Sequence, residues 1–442
     1  MSEHAGPLTA REFQLAGGTG DWRVLGSGAS AWYAASSHRA GAALAAAVTE
    51  LDLAVDLDLD VRATGVRARL PLGPQDGGFR AEHVEAARAV ARAAEGVGLA
   101  ADPTVLQDVQ LTFDVLDQAT VSAFWEAALG YVQVGDEDVM DPGRRHPPIW
   151  FQDMDAPRPL RNRIHLDAVT TQPVAAATLG SLRTGPARHV AEHGYYATVA
   201  DAEGNEVDVL PLPEGSDRWE GQDTEDWRLP FAAMACYPVP TPRAAAQLTE
   251  AVAALADEAN LPVGIDVRPG LVTIDTGKDR WEMHEGYRPL AARIQQAARD
   301  LGLTADVTLP RFVQVGVDAV DIPAVRSFWR AALAYEEDPR PGVTDLVDPR
   351  RLNVVLFLQD LDPADEARRS QRNRIHLDVF VPDDRVTERV ATAVAAGGRV
   401  VREAVEDGCW TIADPEGNEL DIAVSPGREE AWRARQEALR AD

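Results

Sequence analysis

The stretch Arg161-Asn162-Arg163-Ile164-His165-Leu166-Asp167 returns letter for letter as Arg372-Asn373-Arg374-Ile375-His376-Leu377-Asp378. A seven-residue identity within one chain points to internal duplication. Other matches keep the same order. Asp21-Trp22-Arg23 recurs as Asp226-Trp227-Arg228, and Phe124-Trp125 as Phe328-Trp329 (328 − 124 = 204). Glu203-Gly204-Asn205-Glu206 recurs as Glu416-Gly417-Asn418-Glu419 (416 − 203 = 213), so small insertions fall in the second copy between these landmarks. A period of about 200 residues is too long for a solenoid unit, so a multi-domain unit has been duplicated.

The motif alternates as a strand does. Ile164, Leu166 and Ala168 oppose Arg163, His165 and Asp167, and the second copy sets Ile375, Leu377 and Val379 against Arg374, His376 and Asp378. Upstream, Val109, Leu111, Phe113 and Val115 oppose Gln110, Thr112 and Asp114, as Val313, Val315 and Val317 oppose Gln314, Gly316 and Asp318. Val121, Phe124, Trp125, Ala128 and Leu129 fall at helical spacing before Gly130, a C-terminal stop. After the Glu-Gly-Asn-Glu turns, Val207 and Val209 oppose Asp208, and Leu420 and Ile422 oppose Asp421. Each module therefore predicts a sheet with one apolar face under helices and one face carrying Gln, His and carboxylates.

Ahead of each module lies a different segment. Its first copy reads strand, helix, strand, strand, helix from Asp21 to about Leu99, with helices expected at Gly41–Leu51 and Glu82–Ala94 and a strand alternating from Val55 to Val61. Ala100-Ala101-Asp102-Pro103 reads as a linker, and a second break falls near Asp306–Pro310. The expected divisions are 1–104, 105–215, 216–308 and 309–426, with a solvated helix over 427–442.

A formal net charge of −28 argues against non-specific binding to nucleic acid or an anionic membrane, both of which need a basic surface. Cys236 and Cys409 stand in unlike surroundings and make neither a disulfide framework nor a paired metal motif. Met1-Ser2-Glu3-His4 opens no basic-then-apolar leader, and no apolar run approaches the roughly 20 residues of a membrane span. The expectation is a cytoplasmic protein.

The run Asp117…Phe124-Trp125…Leu129-Gly130-Tyr131, Phe151-Gln152, Asn162–Asp167 and Asp201…Glu206 resembles the glyoxalase-like branch of the vicinal-oxygen-chelate superfamily. So does its repeat through Asp321, Phe328-Trp329, Leu333, Tyr335, Gln359, Asn373–Asp378 and Asp414–Glu419. The resemblance covers residues 107–212 and 311–425. It implies paired βαβββ units, often holding a divalent metal such as Zn, Fe, Mn, Co or Ni. Carried over by position, the ligands would be Gln110, His165 and Asp208 in the first module and Gln314, His376 and Asp421 in the second. Gln152 and Gln359 are weaker candidates. Asp167 and Asp378 share the histidine's face as general bases or imidazole partners. Arg163 and Arg374 are candidate clamps for a substrate carboxylate. Each of these readings has a plain alternative, from a metal-free pocket to a solvated acidic face.

The preceding segments, through Asp21-Trp22-Arg23-Val24, Asp60-Val61-Arg62, Val66–Leu70 and Gly77-Gly78, are similar to pterin-4a-carbinolamine dehydratases. That family's histidine pair is missing: Val55-Asp56 and Leu261-Pro262 stand there instead. The resemblance implies a retained fold without dehydratase chemistry. Two further patterns read as decoys. His189-Val190-Ala191-Glu192-His193 matches an inverted zinc-protease string but falls on a strand, and Gly26-Ser27-Gly28 reads as a hairpin turn.

The expected fold is α+β, two βαβββ modules pairing as one pseudo-dimer and alternating with two dehydratase-like domains in a tandem duplication. The expected function is metal-assisted isomerase or lyase chemistry on a small oxygenated metabolite. Non-catalytic sequestration of a small molecule and pterin binding are the alternatives, and homo-oligomerisation is left open. The longer loop before His376, Asp362-Pro363-Ala364-Asp365-Glu366, is expected to act as a lid that makes the second site dominant.

Overall fold

The computed structural model describes residues 7–73, 77–185 and 187–428. The start of the chain and the expected C-terminal helix lie outside them. Three eight-stranded sheets carry the architecture, and none belongs to a single segment of the chain.

The two flanking segments share one sheet. The strand Asp58–Arg62 pairs antiparallel with Gly264–Arg268, setting Asp60 opposite Asp266 across the seam. The helices His38–Thr49, Ala81–Gly96, Pro242–Ala259 and Tyr287–Asp300 supply the apolar stripes of its core, among them Leu44, Val90, Leu248 and Ile294. The expected strand from Val55 starts only at Asp58, and Ala100–Ala101 forms a short strand against the sheet. The divisions expected for the flanking segments thus merge into one body.

The two modules exchange halves. Strands Asp108–Val115 and Ile149–Asp153 of the first module join Ile375–Phe380 and Glu419–Ala423 of the second. In turn Ile164–Thr170 and Glu206–Leu210 of the first join Arg311–Ala319 and Val355–Asp360 of the second. We call these the His376 sheet and the His165 sheet. A single apolar cluster runs beneath both, including Phe113, Trp125, Leu166, Val315, Trp329 and Leu377. The modules are therefore inseparable, because each sheet's core is built from both.

Local chemistry explains the repeated motifs. Helix Gln118–Leu129 starts where the Asp117 side chain accepts from Thr120 N–H and stops at Gly130, whose φ of 64° suits glycine. Its repeat, Ile322–Ala332, starts at Asp321 in the same way. The Trp125 indole donates to Asp201 and the Trp329 indole to Asp414, each at 3.0 Å. Glu203 and Glu416 accept the two backbone N–H groups that enter those helices. The Phe-Trp and Glu-Gly-Asn-Glu signatures thus tie the two halves of a module together across the two sheets.

The decoys resolve as structure. Arg188–Glu192 is a strand, and Gly26-Ser27 is a hairpin turn between paired strands. Among the described residues no helix is long and apolar enough to cross a membrane.

Candidate metal centres

One row of side chains crosses the His165 sheet. Thr198 lies opposite Asp208, Asp208 beside Asp167, and Asp167 opposite Gln314. Alternation turns all of them to the polar face, with His165 one row along and opposite Gly316. His165, Asp167 and Asp208 offer ligand atoms that lie within 4.8 Å of one another. The His376 sheet repeats the row as Thr411, Asp421, Asp378 and Gln110, with His376 opposite Thr112. His376, Asp378 and Asp421 form the second cluster within the same 4.8 Å.

Exchange of halves corrects the expected ligand sets. Gln314 belongs with His165, not His376, and donates to Asp167 Oδ2 at 2.7 Å. Gln110 likewise stands in the His376 sheet, in register with Asp378 and remote from His165's row. Strand pairing across the modules decides this, and spacing along the chain cannot reveal it. Gln152 and Gln359 lie outside both clusters, donating to Asp114 and Asp318 at 2.5 and 2.6 Å.

Arg163 and Arg374 are not substrate clamps. Each is 1% exposed. Arg163 donates to the carbonyls of Arg368, Arg369 and Gln371, and its Nε to Asn418. Arg374 donates to the carbonyls of Arg158, Leu160 and Gly204, and to Asn205. Asn162 accepts Arg374 N–H and Asn373 accepts Arg163 N–H, both at 2.9 Å, where the motif strands cross. The first half of the motif is thus a structural crossing, and the second half builds the centres.

The loop expected to close over His376 is pinned. It carries the short helix Glu366–Ser370, whose carbonyls Arg163 holds, and Arg368 binds Asp318 and the Asn162 carbonyl. It serves the crossing and is no lid.

Electrostatics set the centres apart from ordinary surface acid. Burial raises the Asp167 carboxyl to about 6 against the opposing pull of His165, and burial raises Asp378 to about 6 as well. Asp167 Oδ1, Gln314 Oε1, Asp378 Oδ1 and Asp421 Oδ1 are buried without a hydrogen-bond partner. Buried polar atoms are ordinarily satisfied, so oxygen atoms left bare beside an imidazole fit a cation. The bare acceptors and the imidazole are the observation on which a divalent metal fits these residues. Their neighbours are fixed by other donors: Thr198 Oγ1 donates to Asp208 at 2.5 Å, Thr112 Oγ1 to Asp378 at 2.9 Å, and Cys409 Sγ to Asp421 at 3.4 Å. Burial pushes the Cys409 thiol up, so it remains a protonated donor.

The spacing of the motifs did not reveal two contributors. Gly316 leaves room for the His165 ring: a Cβ there would lie 2.5 Å from His165 Nε2. Phe357 meets the same ring edge-to-face at 5.6 Å. The alternation of strand Val355–Asp360 was the only sequence signal for Phe357.

Residues 110–210 and 314–423 each match the family model of the glyoxalase-like domain. The chain thus carries a glyoxalase-like domain in two regions. Among solved structures, glyoxalase I from Zea mays is 10% identical over 73% of this chain and 95% of that chain, with a TM-score of 0.38. A glyoxalase-related enzyme from Fulvimarina pelagi is 21% identical over 25% of this chain and 85% of that chain, with a TM-score of 0.21. No curated protein matches the sequence.

Proposed function

We propose that the protein is a metal-dependent enzyme of the vicinal-oxygen-chelate kind, acting on a small oxygenated metabolite by isomerase or lyase chemistry. The observation that carries this reading is the pair of buried His-Asp-Asp clusters, each with carboxylate oxygen that lacks a partner, joined in the first by the bare Gln314 Oε1. His165, Asp208 and Gln314 would hold the cation at one centre, and His376, Asp421 and Gln110 at the other. A bound divalent ion would polarise a substrate oxygen. Asp167 and Asp378, beside the cation and on the histidine's face, would move the proton.

The flanking sheet supplies no proton-transfer or cation-holding group in this reading. Its resemblance to pterin dehydratases lacks the histidines of that family, and we read the sheet as a platform against which the modules pack. Arg144 and Arg145 of the first module reach into it, to Asp58 and to Asp266 and Asp275.

The test is elemental analysis of protein purified without added metal, followed by reconstitution. The expected result is up to two equivalents, with His165→Ala and His376→Ala each losing one. Protein that holds well under one equivalent and resists reconstitution would sink the metal reading and favour small-molecule sequestration.

A further inference from the structure

The two centres differ in what lies beside them. The offset that relates Phe124 to Phe328 also relates Ser27 to Phe231 and Asp108 to Phe312. Beside the His376 centre, Ser27 Oγ donates to Asp108 at 2.5 Å and Arg67 pairs with the same carboxylate at 3.5 Å. That polar plug leaves a cavity of about 40 Å³. Beside the His165 centre, Phe231 and Phe312 meet edge-to-face at 6.1 Å, and the cavity there is about 210 Å³.

None of the centre's own residues lines this larger cavity, but neighbours of Gln314 do. Phe312 and Val355 line it, and both lie on the polar face of the His165 sheet. Phe312 is two residues, about 7 Å, along its strand from Gln314, and Val355 is in register with Gln314. Val347 completes the apolar wall.

At the far end, Arg280 and Arg351 flank Gly277: a Cβ on that glycine would lie 2.7 Å from Arg351 Nη1 and 3.3 Å from Arg280 Cδ. Among the described residues neither guanidinium has a carboxylate within ion-pair distance, whereas three of the cavity's four acids, all but the exposed Glu336, are engaged. Asp275 pairs with Arg145 and Asp338 with Arg340. Asp348 accepts from two backbone N–H groups and Asn353. Burial lowers Arg351 to about 10 against the opposing pull of Asp275, and its Nη1 donates to the Thr276 carbonyl at 2.9 Å.

We infer that this cavity anchors a single-ring carboxylate, its anion at Arg280 and Arg351 and its ring along Phe312, Val347 and Val355. The volume suits one ring, since an apolar cavity of about 150 Å³ already takes up benzene. A guanidinium is the side chain best matched to a carboxylate. The ring substituent opposite the carboxylate then points toward Gln314 and His165. That last step rests on the metal-enzyme reading, whereas the anchoring does not.

The test uses ¹⁹F line broadening of 4-fluorobenzoate and 4-fluorobenzamide with the full chain. The expected result is binding of the carboxylate at least tenfold tighter than the amide. Arg280→Gln, at the exposed rim where folding is safe, should weaken the carboxylate at least tenfold and leave the amide unchanged. Val355→Trp should block both. His165→Ala should lose metal yet keep 4-fluorobenzoate, so failure of the metal reading is told apart from failure of the anchor. Equal binding of acid and amide, no binding of the acid at millimolar concentration, or unchanged binding in Arg280→Gln overturns the inference.

Discussion

Gln314 donates to Asp167 Oδ2 at 2.7 Å although the two residues sit in different modules. The bond exists because strand Arg311–Ala319 pairs antiparallel with Ile164–Thr170, so neither module owns a complete centre. Duplication thus makes each copy supply one glutamine to a centre whose histidine and two aspartates come from the other.

Gln314→Ala in a His376→Ala background should lower metal affinity at the remaining centre at least tenfold. Gln110→Ala in that background should leave it unchanged, and the reverse should hold in a His165→Ala background. Metal titration by isothermal calorimetry checks this. A loss on Gln110→Ala at the His165 centre would contradict the exchanged pairing.

Gly316→Thr copies into the His165 sheet the residue that Thr112 supplies in the other. The new Cβ would collide with the His165 ring and with Phe357 Cζ at 2.7 Å, so the imidazole must move. We expect the first centre to lose its metal while the second keeps it, read as one equivalent lost on elemental analysis. Retention of both equivalents would show that the ring has room.

Arg163→Ala and Arg374→Ala should each destabilise the fold by about 3–5 kcal/mol, because buried carbonyls lose charge-assisted donors. Urea denaturation measures this. Their effect on substrate KM in folded protein should be under twofold, and a rise in KM with unchanged stability would restore the clamp reading.

His146 gives a pH signature. Burial lowers it to about 4, against the opposing pull of Asp141 and with Arg145 and Arg311 adding to the shift, and its Nε2 faces the Arg311 carbonyl at 3.1 Å. A depressed folded pKa means the unfolded chain binds the proton first. The contribution is whole above pH 6.5 and is lost as pH falls toward 4. Asp167 and Asp378, raised to about 6, act oppositely over the same range, so the comparison is with His146→Asn. The difference in urea stability between the two proteins should shrink as pH falls from 6.5 to 4. A constant difference would mean that His146 does not titrate there.

Much was legible in the sequence because strand faces and helix starts are local. Alternation put His165, Asp167 and Asp208 on one face, since successive side chains of a strand point oppositely whatever the strand pairs with. Asp117 and Asp321 marked helix starts for the same local reason. The tertiary structure alone decided which strands lie side by side, for that depends on contacts between residues 147 positions apart, as between Asp167 and Gln314. It also decided that Arg163 and Arg374 are buried crossings, because a guanidinium reads the same in sequence whether it meets a ligand or a row of backbone carbonyls. The unequal neighbours of the two centres, Ser27 with Asp108 and Phe231 with Phe312, are local substitutions. They acquired meaning only when the fold laid the flanking sheet against the modules.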